Sequence, residues 1–225
     1  EHGLTREAMD AFAIESLTRA QRAIDEGLNQ KEIAPVTIRT RRGEHTVSVD
    51  EQPHKANLEK IPQLRPAFTE NGTITPANSS SISDGASALL LASEQAVETH
   101  GLTARARIVA HSRNSLAPEA FTLAPIGAAE AVLAKAGWTV ADVDLWEINE
   151  AFAMVTMLTV DALKLDPACV NVHGGACAQG HPIGSTGSRI IVTLMHALEH
   201  YGKKRGVAAL CIGGGEATAV AIELI

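Results

Sequence analysis

Three short segments of this 225-residue chain carry residues able to move protons and to stabilise negative charge. The first is a glycine-rich loop from Asn171 to Gly187 that holds His181 followed by Pro182. It separates an expected strand from an expected helix, the place where open α/β sheets bind ligands. Its glycines let the main chain approach a ligand or take positive φ, with the imidazole held at the mouth of the helix. Gly175 and Gly180 have the spacing of a phosphate loop. His181 and Pro182 follow where the lysine should stand, and no GxGxxG is present, so phosphate cradling is rejected. The second segment is Asn149-Glu150-Ala151-Phe152, at a strand-to-helix junction. Asn149 is either the helix N-cap or a carboxamide that holds a water or a substrate oxygen, and local sequence leaves both open. The third is Cys211-Ile212-Gly213-Gly214-Gly215, ending an apolar strand. A cysteine there is ordinarily a small hydrophobe, but the glycines expose backbone N–H groups, as an oxyanion site requires.

Two further patterns carry less. Cys169 and Cys177 read as structural. His196-Ala197-Leu198-Glu199-His200 has the H-x-x-E-H form of a zinc peptidase helix. It runs into Tyr201-Gly202-Lys203-Lys204-Arg205, a cationic helix end with no third ligand, so its histidines read as partners of the helix dipole. No metal is expected.

These segments need a scaffold, and the composition supplies one. The chain is 45% hydrophobic and 20% charged, too apolar for disorder. The formal net charge of −7 argues against nucleic acid as a partner. No apolar run has the length of a membrane span, and no membrane association is expected. Three cysteines without a CxxC suggest neither a disulfide framework nor a zinc cluster, which fits a reducing compartment. The first residue is Glu1, which is consistent with processing or with a longer natural chain.

Apolar periodicity predicts a helix over 5–28 capped by Thr5, with Met9, Phe12, Ala13, Leu17, Ala20 and Ile24 on one face. A two-strand pattern follows around Val36, Ile38, Val47 and Val49, turning at Arg41-Arg42-Gly43. Residues 50–83 are turn-rich, a long irregular stretch of the kind that is usually functional or disordered. Helices are expected over 85–97, 125–136, 150–165 and 188–200. Strands are expected over 107–111, 143–148, 169–172, 207–212 and 217–224, the last two as a hairpin. This alternation is that of an α/β layered domain.

Taken together, Asn149-Glu150-Ala151-Phe152, Gly180-His181-Pro182-Ile183-Gly184 and Cys211-Ile212-Gly213-Gly214-Gly215 resemble the thiolase family in order and interval. The resemblance extends over Leu64-Arg65-Pro66-Ala67-Phe68 and residues 78–86, closest in flavour to acetyl-CoA acetyltransferases. It implies a layered αβαβα fold, here the C-terminal half plus part of a loop domain. Residues 1–83 would cover coenzyme A, 84–104 would be a helix of the N-terminal half, and 105–225 would be the C-terminal domain.

The implied roles transfer position by position. His181 would activate a nucleophilic cysteine and stabilise the thioester oxyanion. Cys211 would be the acid/base, within hydrogen-bond reach of the His181 region. Asn149 would fix a water in one oxyanion hole, and Gly213 N–H would serve a second. Ser80 would line the pantetheine tunnel, with Phe152 beside it. Arg65 and His54 are the candidates for the coenzyme A phosphates, because Pro53-His54-Lys55 stands where the family often places arginine. The substrates would be acyl-CoA and CoA, with no further cofactor. A homodimer or homotetramer, cytoplasmic, with mitochondria as the alternative, is the implied setting. The family's nucleophilic cysteine precedes anything in this sequence, so the chain resembles the C-terminal portion and is expected to be inactive alone. A ketoacyl-synthase-like condensing enzyme and a non-catalytic CoA-binding fragment are the competing readings. The Cys211 motif argues against the first of these.

Overall fold

The computed structural model describes residues 2–225. Helix α1 (Arg6–Asp25) begins where Thr5 Oγ1 accepts the Ala8 N–H, and it buries Met9, Ala13, Leu17 and Ala20. Strands β1 (Val36–Thr40) and β2 (Gly43–Val47) form an exposed antiparallel hairpin. The turn-rich stretch holds only α2 (Gln52–Lys55) and a 3₁₀ segment, Leu58–Gln63. Its anchor is polar: Arg6 pairs with Asp10 at 2.6 Å, and Asp10 accepts from the buried Asn78 carboxamide at 2.9 Å.

The remainder is one four-stranded sheet in the order β3-β6-β5-β4. After the short α3 (Glu94–His100) come β3 (Ala106–Ser115), α4 (Ala124–Ala136) and β4 (Leu145–Ile148). They are followed by α5 (Ala153–Leu163), the one-turn α6 (Ala176–Gln179) and α7 (Thr186–His200). Strands β5 (Arg205–Ile212) and β6 (Glu216–Leu224) close the chain as the expected hairpin. β4 and β5 are parallel, while β6 is antiparallel to both β5 and β3. Strand alternation sorts the core onto two faces. Trp146, Ile148, Val207, Ala209 and, from β6, Ala217, Ala219 and Ala221 meet α4. Leu145, Ala208 and Ile222 meet Ile190, Leu194 and Leu198 of α7.

Three expectations need correction. Residues 85–92 form neither helix nor strand, and the helix starts only at Glu94. A short helix is stabilised mainly by burying an apolar face, and here Leu90 and Leu91 remain 84% and 70% exposed. The helix expected from 150 starts at Ala153, with Phe152 at its N-cap. The strand expected over 169–172 is reduced to one bridge, Trp146 to Val170, after a 3₁₀ turn at Pro167–Cys169.

Two buried groups are conspicuous. The His173 ring is 1% exposed, bonds through neither nitrogen, and packs against His200 and Tyr201. Burial, then the charges of His200, Arg22 and His196, lowers its pKa to about 4. Glu147 on β4 has an unpartnered buried oxygen, and burial raises its pKa to about 8 against the pull of Arg189.

The two groups oppose each other. An unfolded chain protonates its histidine below 6.5 while the native ring stays neutral. Stability therefore falls as pH drops from 6.5 toward about 4. Native Glu147 keeps its proton above 4.5, so stability also falls as pH rises from 4.5 toward about 8. Between pH 4.5 and 6.5 the two slopes cancel, so urea unfolding is expected to show a plateau there, with stability falling toward pH 4 on one side and toward pH 8 on the other, by up to about 1.4 kcal/mol per pH unit on each flank. His173→Leu makes the acid flank shallower and Glu147→Gln the neutral one. His181 and His196 keep part of the acid flank, and Glu150, Glu32 and Asp50 part of the neutral one, because burial shifts them in the same senses.

The glycines of the loop give a second test. Gly174 has φ 78°, and a Cβ there meets the Ser16 carbonyl oxygen at 2.5 Å. Gly187, in the first turn of α7, has open space around it. Gly174→Ala is expected to cost about 2 kcal/mol or more, and Gly187→Ala to stabilise by up to about 1 kcal/mol. Both are read by the same unfolding titration.

Candidate active site

The site assembles at the carboxyl ends of β4 and β5. Asn149 directly follows β4, and its N–H donates to the Ala209 carbonyl at 2.9 Å, prolonging the parallel ladder. It is 2% exposed. It does not cap α5, whose N-cap is Phe152, so the N-cap alternative does not hold. Its Nδ2 lies 3.4 Å from His181 Nε2, while its Oδ1 is buried without a partner.

His181 arrives from the other side. Gly180 takes φ 85°, and a Cβ there would collide with Ser83 Oγ. The His181 N–H donates to the Ser81 carbonyl at 3.1 Å, and the residue forms a parallel bridge with Ile82. Nδ1 sits 2.6 Å from Thr186 Oγ1. Burial, aided by the positive charge of Arg189, lowers the ring's pKa below its ordinary value. A neutral imidazole with one nitrogen anchored and the other facing a carboxamide is arranged to act as a base.

The loop is held by Glu150, itself 1% exposed. Its carboxylate accepts from Ser16 Oγ at 2.7 Å, from Asn171 Nδ2 at 2.8 Å and from the Cys177 N–H at 3.0 Å. A Cβ on Gly175 would collide with it, so glycine is required there for close approach. Burial raises the Glu150 pKa, and these three hydrogen bonds oppose that shift.

Ser80 and Phe152 come together. Ser80 Oγ and N–H both donate to the Ala151 carbonyl, at 3.0 and 3.1 Å, and Ser79 bridges to Phe152. The Phe152 ring packs edge-on against Phe121, 6.1 Å between centroids. Cys211 lies near the end of β5, two residues beyond the Ala209 that accepts from Asn149, and is 6% exposed. Burial pushes its thiol up to about 11. The ring nitrogens of His181 bond to Asn149 and Thr186, and neither bonds to Cys211. The reason is topological: Cys211 is fixed on a strand, while His181 is fixed on a loop paired with Ile82. Gly213 follows in the turn, exposed, with its N–H given to no protein acceptor among the described residues.

Arg65 is exposed. His54 pairs with Asp25 at the end of α1, 3.3 Å away, rather than with a group of the site. Its neighbour Gln52, which the sequence did not single out, accepts from Ser81 Oγ at 3.1 Å and so braces the His181 loop. Thr186 was also missed, although its place five residues after His181, at the start of a helix, was a usable signal. Burial raises the pKa of Cys169 and Cys177, with Glu150 adding to the effect at Cys177. None of the three thiols is therefore poised as a thiolate. In the H-x-x-E-H segment the Glu199 carboxylate is taken by Arg105, at 2.7 and 2.9 Å.

Comparison with known proteins places this geometry in a family. The model of the thiolase C-terminal domain matches residues 102–224, and that of the N-terminal domain matches residues 1–95. An acetyl-CoA acetyltransferase of Yarrowia lipolytica is 48% identical over 99% of this chain and 56% of its own length. The cytosolic acetyl-CoA acetyltransferase of Mus musculus is 46% identical, over 98% of this chain and 56% of its own. The mitochondrial 3-ketoacyl-CoA thiolase of Bos taurus is 42% identical, over 99% and 56%. Among solved structures, the Bacillus anthracis acetyl-CoA acetyltransferase superposes with TM-score 0.95 at 41% identity, over 99% of this chain and 57% of that one. The Acat5 thiolase of Ascaris suum, in complex with coenzyme A, gives 0.88 at 39%, over 100% and 57%. The chain thus spans little more than half the length of the relatives it matches. Its fold is the thiolase fold, and the chain belongs to the thiolase family.

Proposed function

We propose that this chain carries the acid/base and oxyanion side of an acetyl-CoA C-acetyltransferase site. That site joins two acetyl-CoA into acetoacetyl-CoA and runs the reverse thiolysis. The observation that carries the reading is the contact of His181 Nε2 with the Asn149 carboxamide at the strand ends where Cys211 and Gly213 also stand.

The chemistry uses each group once. A cysteine thiol other than Cys169, Cys177 and Cys211 gives its proton to His181 Nε2 and attacks the acetyl-CoA carbonyl. The oxyanion is held by a water on Asn149 and by backbone N–H groups such as that of Gly213, donors typically worth ~3–4 kcal/mol each. The tetrahedral species expels the CoA thiolate, which takes the Cys211 proton and leaves as CoA. Cys211, now a thiolate, removes an α-proton from the second acetyl-CoA. The resulting carbanion attacks the acetyl-enzyme, the carbon–carbon bond forms, and the nucleophile's sulfur leaves and takes back its proton from His181 Nε2. A thiol pushed up to about 11 gives a stronger base once ionised, which suits a weakly acidic carbon.

In this reading residues 1–83 cover the pantetheine chain, with Ser80 and Phe152 along it, and Arg65 and His54 meet the phosphates. Residues 105–225 carry the catalytic turns, and 84–104 join the two. The CoA thioesters are the only small molecules the chemistry requires. Assembly as a homodimer or homotetramer belongs to the same family-based reading, and the exposed Ile82, Leu90, Leu91 and Ile183 are apolar surface for further chain or a partner to cover. Relatives include cytosolic and mitochondrial forms. Three unpaired cysteines and the cytosolic mouse relative favour the cytoplasm.

The test is thiolysis of acetoacetyl-CoA by a preparation of verified mass, alongside equilibrium dialysis with CoA. We expect saturable CoA binding without turnover by the chain alone. Measurable cleavage overturns the exclusion of its own thiols as nucleophile. Absence of CoA binding overturns the substrate class.

A further inference from the structure

A neutral imidazole carries one hydrogen, and which nitrogen holds it decides which one is the base. Around His181 the neighbours constrain that choice. Thr186, 0% exposed and the first residue of α7, places Oγ1 2.6 Å from Nδ1 and 3.0 Å from the Pro182 carbonyl. A threonine hydroxyl bonding to the carbonyl four residues back is an ordinary helical arrangement. It uses the only hydroxyl hydrogen, so Oγ1 can do nothing toward His181 but accept, and Nδ1 must donate.

The far side of the ring agrees. Nε2 faces Asn149 Nδ2 at 3.4 Å, a donor, and a bare nitrogen accepts from it. The polarity is then consistent from end to end: Asn149 amide to Nε2, Nδ1–H to Thr186 Oγ1, hydroxyl to Pro182 carbonyl. The reversed arrangement turns the threonine hydroxyl toward Nδ1 and places the hydrogen on Nε2. The 2% exposed Asn149 must then rotate its amide, which leaves the nitrogen rather than the oxygen without a partner. Buried N–H groups without an acceptor are the rarer condition.

We propose that Thr186 is the positioning residue that sets the His181 tautomer, keeping the hydrogen on Nδ1 so that Nε2 is the atom free to take a proton. The proposal rests on the acyl-transfer reading only in calling Nε2 the catalytic base. The tautomer itself is a property of the protein without substrate.

It is therefore tested on the whole chain with no acyl-CoA present, by long-range proton–nitrogen-15 correlation of the histidine rings at neutral pH. The His181 signals are assigned by their loss in His181→Asn. In the native chain Nδ1 is expected to show the protonated shift and Nε2 the bare one. Thr186→Val removes the hydroxyl and should change the tautomer ratio at least tenfold toward the Nε2–H form that histidine favours in water. Thr186→Ser should keep the native pattern, which a purely steric role for the side chain does not predict. A native ring with its hydrogen on Nε2, or a folded Thr186→Val with an unchanged ratio, overturns the assignment. If Thr186→Val does not fold, the native and Thr186→Ser spectra decide. Failure of CoA binding or the appearance of turnover bears on the acyl-transfer reading alone.

Discussion

One buried carboxylate holds the site together. Glu150 takes a hydrogen bond from α1 through Ser16, one from the end of the glycine loop's entry through Asn171, and one from the turn itself through the Cys177 N–H. These donors come from parts of the chain far apart in sequence, and they meet because a desolvated carboxylate must have partners. Three of the groups with a chemical role lie close along the chain to one of these ties. Asn149 precedes Glu150, Phe152 follows it, and His181 stands four residues beyond Cys177. Gly175 is the steric corollary, since any side chain there would enter the space the carboxylate fills.

The electrostatic character of the site follows from its dryness. Burial acts on each group in the direction of its uncharged form: His181 becomes easier to keep neutral, and all three thiols become harder to ionise. The imidazole and the thiols of such a site carry no charge at rest. The site suits chemistry in which negative charge appears on a substrate oxygen or carbon and then disappears, because the surrounding donors are already oriented when it does. Arg189 lowers the pKa of His181 and also draws down the raised values of Glu147 and Glu150, so one cation biases both the base and the acids beneath it.

Much of this was legible in the sequence because it is local. The Thr5 cap, the glycine stop after Ala136 and the β5–β6 hairpin depend on neighbouring residues, and each stands as read. His181, Asn149 and Cys211 were found because unusual glycine density or polarity marks the ends of apolar strands. What was illegible depends on partners distant in sequence. An Ala/Leu-rich segment reads as helix from propensity alone, yet residues 85–92 take no regular structure and leave Leu90 and Leu91 exposed. Residues 169–172 look like a strand, but a 3₁₀ turn and a left-handed Asn171 at φ 47° interrupt them. Gln52 escaped notice because its role, an amide oxygen facing Ser81, exists only after two loops meet.

That left-handed asparagine has a consequence for how the sheet ends. β4 is an outer strand, and an outer strand ordinarily offers a row of free amides and carbonyls to any chain that approaches. Here the Asn171 side chain takes the Ile148 N–H and gives to the Ile148 carbonyl, both at 2.8 Å, while its own N–H goes to the Trp146 carbonyl at 2.9 Å. A single residue imitates the neighbouring strand that is not there. The Ile148 and Trp146 groups beside the chemistry are thereby occupied, and this end of β4 does not offer them to an approaching strand.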